Sequence, residues 1–210
     1  MYSVFVIGNI ASGKSAACRY LASQGGMYLD LDRLAKSLYV PGSELVGSIA
    51  EEFGWDVLDA QGGIRTDVLA SRAFVTPDET EKLNALVHPV LVEQLSSRLL
   101  DPVCCTVSAV SYPFAVVEVS APRDFSDGFG LADEVIAITA PVNIRRQRAI
   151  RRGMSAGDFD RRADIQPSES ELCSMASLVI DNSLDDDALF LRLHDWLVDR
   201  KFVTDDASHE

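Results

Sequence analysis

Apolar and polar positions change period several times along the chain. Val4-Phe5-Val6-Ile7 is a continuous apolar run stopped by Gly8, the pattern of a strand buried on both faces. Residues 8–15 form a turn, and 15–23 (SAACRYLAS) read as a helix closed by Gly25-Gly26. Met27-Tyr28-Leu29 reads as a second strand, ending at Asp30-Leu31-Asp32. Together these predict a βαβ unit with a right-handed crossover.

The pattern is then helical over 33–101. Leu34, Ala35 and Leu38 begin a helix that stops at Pro41-Gly42. Leu45, Ile49 and Phe53 are spaced by four and predict an amphipathic helix up to Gly54. A turn at 59–63 separates it from helical patterns at 66–74 and 78–100, the second kinked or broken near Pro89. Strand-like runs return at Val103–Val107 and Val135–Ile138. An arginine-rich helix follows over 142–152, and the polar stretch 153–172 reads as a mobile flap on a short helix. Leu178–Asn182 is a last strand, and Leu189, Leu193 and Trp196 or Leu197 share one face of a last helix over 186–200. Asp181-Asn182-Ser183 is expected to turn the chain into that helix by capping. Trp55 and Trp196 are expected to be packing residues.

The 210 residues carry 32 Asp+Glu against 19 Lys+Arg, a formal charge of −13, with 47% hydrophobic residues. That balance suits a soluble globular chain and argues against nucleic-acid or anionic-membrane partners. The positive charge is not evenly spread. Residues 145–162 hold seven arginines and two acids, so this stretch alone is +5. The N-terminal apolar run is too short for a signal segment or a span. Cys18, Cys104, Cys105 and Cys173 lack disulfide or zinc spacing, so reduced thiols and a cytoplasmic location are expected.

Gly8-Asn9-Ile10-Ala11-Ser12-Gly13-Lys14-Ser15 fits G-x-x-x-x-G-K-[ST], after a strand and before a helix. Such a loop wraps its backbone amides around phosphate oxygens, at the positive end of the following helix. Lys14 is expected to reach the β- and γ-phosphates, and the Ser15 hydroxyl to coordinate Mg²⁺. The nucleotide-contacting segment is therefore Asn9, Ile10, Ala11, Ser12, Gly13, Lys14, Ser15 and Ala16, with ATP and Mg²⁺ as cofactors. Asp30 and Asp32 lie at the carboxyl end of the second strand, where an open α/β sheet borders its ligand crevice. On an extended chain they point the same way, and one of them could accept or orient a hydroxyl proton. Asp32 is alternatively the N-cap of a helix starting at Arg33, and Asp30 a solvated strand end. Arg145, Arg148 and Arg152 fall on one helical face, a clamp for transferring phosphate if not simply a solvated face.

GNIASGKS, LDLDRLAK, PGS at 41–43, LNALVHPVL at 83–91 and VIDNS at 179–183 occur in this order. That series resembles the bacterial dephospho-coenzyme A kinases over nearly the whole chain. The resemblance implies an α/β fold: a P-loop kinase-like parallel sheet flanked by helices, with an inserted helical substrate lobe and a lid. It sets a core at about 1–36, 102–147 and 173–202, a lobe at about 37–101 and a lid at about 148–172, all one domain of 1–210. It also implies transfer of the γ-phosphate of ATP to the 3′-hydroxyl of dephospho-CoA, the last step of coenzyme A synthesis, in a monomer or weak homo-oligomer. By resemblance Asp32 is the base. Lys14 and Arg148 complete the catalytic set, Arg152 joins Arg148 on the ATP phosphates, and Asp30, Asp32, Lys36 and His88 contact the acceptor. His88, alone before Pro89, reads by itself as a structural residue.

Asn9 and Ala11 replace glycines usual in that family, both at open positions of the loop pattern. The family's P-L-L-F-E segment is barely visible in Ser111–Glu118, so Glu118 is assigned no role and the loop to Asp133 is longer than usual. The rival readings are another P-loop nucleotide or small-metabolite kinase, or a nucleotide-binding protein with a decayed acceptor site.

Overall fold

The computed structural model describes residues 1–100, 111–184 and 186–204. Its chain divides into two compact units, Leu31–Arg98 and the remainder.

The larger unit is built on five parallel strands: β1 (Tyr2–Ile7), β2 (Met27–Asp30), β3 (Phe114–Val119), β4 (Glu134–Thr139) and β5 (Leu178–Asp181). Their order is β2-β3-β1-β4-β5. β1 is central, pairing with β3 from Tyr2↔Phe114 to Ile7↔Val119 and with β4 from Val4↔Glu134 to Ile7↔Ala137. Burial on both faces explains why it reads as unbroken Val, Phe and Ile rather than as an alternation. α1 (Lys14–Ser23) and α9 (Asp186–Asp199) contribute to one core with the strands. Ala17, Cys18 and Leu21 of α1 and Leu189, Leu193, Trp196 and Leu197 of α9 pack with Val4, Val6, Phe114, Val116, Ile136, Ile138 and Ile180. Cys18 is a buried free thiol whose pKa burial pushes up. α1 ends as its sequence foretells: the Gly25 and Gly26 N–H groups bond to the Ala22 and Leu21 carbonyls, and Gly25 takes φ +99°. That is the double hydrogen bond of a glycine-terminated helix.

Glu134 anchors the C-terminal helix at the amino end of β4. It accepts from Tyr2 OH at 2.8 Å, Trp196 Nε1 at 3.0 Å and Arg200 Nη2 at 2.9 Å. Burial alone would raise its pKa, but the Arg200 guanidinium and the two neutral donors outweigh it and hold the carboxyl below its ordinary 4.5. A carboxylate depressed on folding contributes stability above its unfolded pKa and loses it as pH falls through the folded one. Trp196 emission in a Trp55→Phe background is therefore expected to shift red below about pH 4.5, and Glu134→Gln to flatten that transition. An acid transition unchanged in the Glu134→Gln variant would sink this assignment.

The second unit is helical. α2 (Leu31–Ser37), α3 (Glu44–Phe53), α4 (Thr66–Ala73) and most of α5 (Pro77–Leu99) enclose Leu45, Ile49, Phe53, Leu69, Ala73, Leu83 and Val87. The Ser43 hydroxyl caps α3 by accepting from Val46 N–H at 3.3 Å. α5 is unbroken through Pro89. The proline ring removes one donor, but Pro89 is exposed, so water can satisfy the carbonyl one turn back.

Some sequence expectations are corrected. α2 starts at Leu31, so Asp32 lies inside its first turn instead of capping a helix at Arg33, and the chain from Asp30 to Asp32 is not extended. The predicted strand at 103–107 lies outside the described residues, while β3 at 114–119 was not foreseen. Trp55 is 66% exposed and does not pack into a core; Trp196, 4% exposed, does. The 153–172 stretch holds a helix, α7 (Ala156–Asp164), and the start of α8 (Glu169–Met175), capped by Ser155 and Ser168.

Candidate active site

The loop leaves the carboxyl end of the central strand. Residues 8–13 connect β1 to α1, whose first turn has no acidic residue and no side-chain cap. Its N–H groups and its positive helix end are thus available to an anion. Gly13 takes φ +109°, and a Cβ there would lie 2.2 Å from Asn182 Nδ2. Asn182 follows β5, is 1% exposed, and donates from Nδ2 to the Ser12 carbonyl at 2.8 Å. Its own N–H bonds to the Thr139 carbonyl at the end of β4. Asn182 therefore props the loop from below, rather than only turning the chain into α9. Gly13→Ala is expected to lower stability by about 1–3 kcal/mol, read by urea denaturation, since it needs left-handed backbone and displaces a buried amide. A loss under 0.5 kcal/mol, the scatter of ordinary surface changes, would contradict that packing. Ala11 also lies in the left-handed region, at φ +60°, at a cost of about 1–2 kcal/mol relative to glycine.

Lys14 and Ser15 converge on Glu118, near the carboxyl end of β3. Glu118 Oε1 accepts from Lys14 Nζ at 2.8 Å and from Ser15 Oγ at 2.6 Å. Its other oxygen accepts from Tyr28 OH at 2.5 Å. Lys14 Nζ also donates to Ser120 Oγ at 2.9 Å. Burial would raise the Glu118 pKa, but the Lys14 charge and the three donors prevail and lower it. The same contact, with burial, raises the Tyr28 pKa, so Tyr28 remains a donor. Asp30 is the register partner of Glu118 on the neighbouring strand, which puts both acids at one sheet edge. Glu118, Tyr28 and the prop Asn182 were missed by sequence reasoning. The available signal for Glu118 was a lone acid inside the otherwise apolar FAVVEV run.

Ser15 Oγ and Glu118 Oε1 are hard oxygen donors close enough to share one small cation. Mg²⁺ binds in this way, through one or two protein oxygens plus phosphates and water. The residues present therefore fit Mg²⁺.

The arginines of α6 (Val142–Arg151) separate in role. Arg145 Nε donates to the Ala140 carbonyl at 3.0 Å, and its guanidinium lies 5.9 Å from the Phe159 ring centre. Burial lowers its pKa. Arg145 thus ties α6 to β4 and α7. Arg148 Nη1 donates to the Asn182 carbonyl at 2.8 Å, beside the loop's prop. Arg152 is exposed at the C-cap of α6. Ile10 N–H, one of the expected phosphate donors, is directed to Gln166 Oε1 at 2.9 Å. Within the helical unit, Asp32 and Lys36 are exposed in the first and last turns of α2, and His88 is half-buried in α5.

The model of the dephospho-CoA kinase family matches residues 2–187. A dephospho-CoA kinase of Corynebacterium diphtheriae is 32% identical over 191 residues, 90% of this chain and 92% of that protein. Among solved structures, TT1252 from Thermus thermophilus superposes with a TM-score of 0.74 at 25% identity, covering 94% of this chain and 97% of that one. A dephospho-CoA kinase from Campylobacter jejuni shares the fold, with a TM-score of 0.58 at 20% identity over 95% of this chain and 96% of that one.

Proposed function

The chain belongs to the dephospho-CoA kinase family, and from that premise we propose that it transfers the γ-phosphoryl group of ATP to the 3′-hydroxyl of dephospho-CoA, giving coenzyme A and ADP. The observation that carries this reading is the family match over residues 2–187, joined to a phosphate loop whose Lys14 and Ser15 meet at one buried carboxylate.

Glu118 balances the Lys14 charge. ATP replaces that partner: Lys14 turns to the β- and γ-phosphates while the loop amides and the α1 N-terminus accept the remaining charge. Ser15 and Glu118 would hold Mg²⁺, which would supply positive charge to the phosphates. Asp32 takes the proton of the attacking ribose hydroxyl. Arg148 and Arg152 offset charge on the transferring group, and Asp30, Lys36 and His88 orient the acceptor. α7 and α8 exclude water, the competing acceptor. The reaction partners are ATP and dephospho-CoA, with no nucleic acid or membrane involved. The setting is the cytoplasm, and the enzyme acts as a monomer or weakly associated homo-oligomer. None of the described helices is long and apolar enough to cross a membrane.

An acceptor panel tests the reading. With ATP·Mg²⁺, dephospho-CoA is expected to be turned over with a kcat/KM at least about a hundredfold above nucleoside monophosphates or shikimate, the selectivity that a site hydrogen-bonded to its own acceptor supplies. Preferred turnover of another acceptor, or tight ATP binding with no acceptor phosphorylated, would overturn it.

A further inference from the structure

Asn9 stands at a position that the loop pattern leaves open, yet its side chain is buried, with the residue 8% exposed. Its Nδ2 donates to the Pro167 carbonyl at 2.8 Å. The next N–H along the chain, that of Ile10, donates to Gln166 Oε1 at 2.9 Å. Both acceptors belong to the short connection between α7 and α8. Pro167 is buried within this connection, while Ile165, at its start, is 77% exposed, and Ser168, at its end, is occupied in a capping box with Glu171. Phe159 of α7 is fully buried beside Arg145, and Arg145 Nη1 reaches the Ile10 carbonyl at 3.4 Å. The phosphate loop is thus held from two sides, by Asn182 at Ser12 and by the α7–α8 connection at Asn9 and Ile10.

We propose that Asn9 is a positioning residue that fastens the α7–α8 connection to the phosphate loop and so sets the lid in place before ATP arrives. The physical reason is entropic. A lid already seated on the loop has less freedom to lose when the nucleotide binds, so more of the contact energy appears as affinity. An asparagine achieves this because one amide donor reaches a backbone carbonyl that would otherwise be buried without a partner. The inference rests on the kinase reading for its ATP measurement only.

The test compares the full-length chain with its Asn9→Gly and Asn9→Asp variants by hydrogen–deuterium exchange without substrate, and then by steady-state kinetics. Removing the amide is expected to speed exchange over 165–175 by about tenfold, the equilibrium effect of one buried hydrogen bond. KM for ATP is expected to rise by a similar factor, and kcat to fall by less. Asn9→Asp keeps the volume but turns an acceptor toward the Pro167 carbonyl, so its effect is at least as large. Gln166→Ala, which removes the second tie and frees the Ile10 N–H, is expected to speed exchange over 165–175 in the same direction. Unchanged exchange over 165–175 in the Asn9 variants overturns the proposal, as does a KM for ATP that falls, which would mark the contact as a block. Failure of the wild-type chain to phosphorylate dephospho-CoA would instead count against the function, leaving the exchange result to decide the tether.

Discussion

Asp32→Asn is expected to keep ATP affinity within about twofold of wild type and to lower kcat by about 10²- to 10⁴-fold, the range of a positioned general base. The substitution is nearly isosteric and removes the only property the role requires, a carboxylate oxygen that can accept a proton. Asp32 is exposed in the first turn of α2, so the variant should fold. The charge lost from a helix N-terminal turn is worth only about 0.3–1 kcal/mol. Kinetics with saturating ATP and varied dephospho-CoA decide the matter, with a thermal melt alongside. A kcat near that of wild type removes Asp32 from the chemistry. A rise in KM for the acceptor with kcat retained makes it a binding residue instead.

Lys14→Met is expected to fail in binding and in turnover together, with kcat/KM for ATP falling by about 10²–10³, as when one charge-stabilising donor is removed. The structure adds a complication. Lys14 and Glu118 are a buried pair, with side chains 10% and 7% exposed. Breaking such a pair from one side typically costs about 3–5 kcal/mol. Ser15 and Tyr28 still donate to the carboxylate, so the lower end of that range applies. Lost activity and lost folding therefore have to be told apart. Combining Lys14→Met with Glu118→Gln separates the two, because the second change removes the stranded charge. The double variant is expected to recover most of the stability in urea and none of the activity. Recovery of turnover would show that Lys14 only neutralises Glu118 and does not act on phosphate.

Much of this was legible in the sequence because the relevant physics is local. A continuous apolar run, a glycine-bounded loop and a short helix closed by Gly25-Gly26 need no distant partner to be recognised. The same holds for α3, where Leu45, Ile49 and Phe53 mark a single face. The misreadings involve long-range contacts. β3 begins directly after Pro113 and carries Glu118 near its end, so its pattern resembles a broken loop until Lys14 and Ser15 arrive to satisfy the acid. Asn182 has the composition of a turn residue, and only the fold brings it under Ser12, 170 positions earlier. α2 begins at Leu31 although the pattern suggested Arg33, because Leu31 closes the β2 apolar run and reads as strand until its burial in the helix is seen. The arginine face of α6 was visible as a face. That Arg145 serves as a tie while Arg152 stays exposed depends on Ala140, Ile10 and Phe159, which no helical spacing reveals.

The most direct measurement of the central claim is the position of the transferred phosphate. Purified chain is incubated with ATP, Mg²⁺ and dephospho-CoA, and the product is examined by ³¹P NMR with proton coupling to the ribose. The account predicts one new phosphomonoester, coupled to the 3′ proton, formed in step with ADP and formed about 10²- to 10⁴-fold more slowly when Asp32→Asn replaces the wild type. A phosphate at any other position, or ADP released with inorganic phosphate and no modified acceptor, would contradict it.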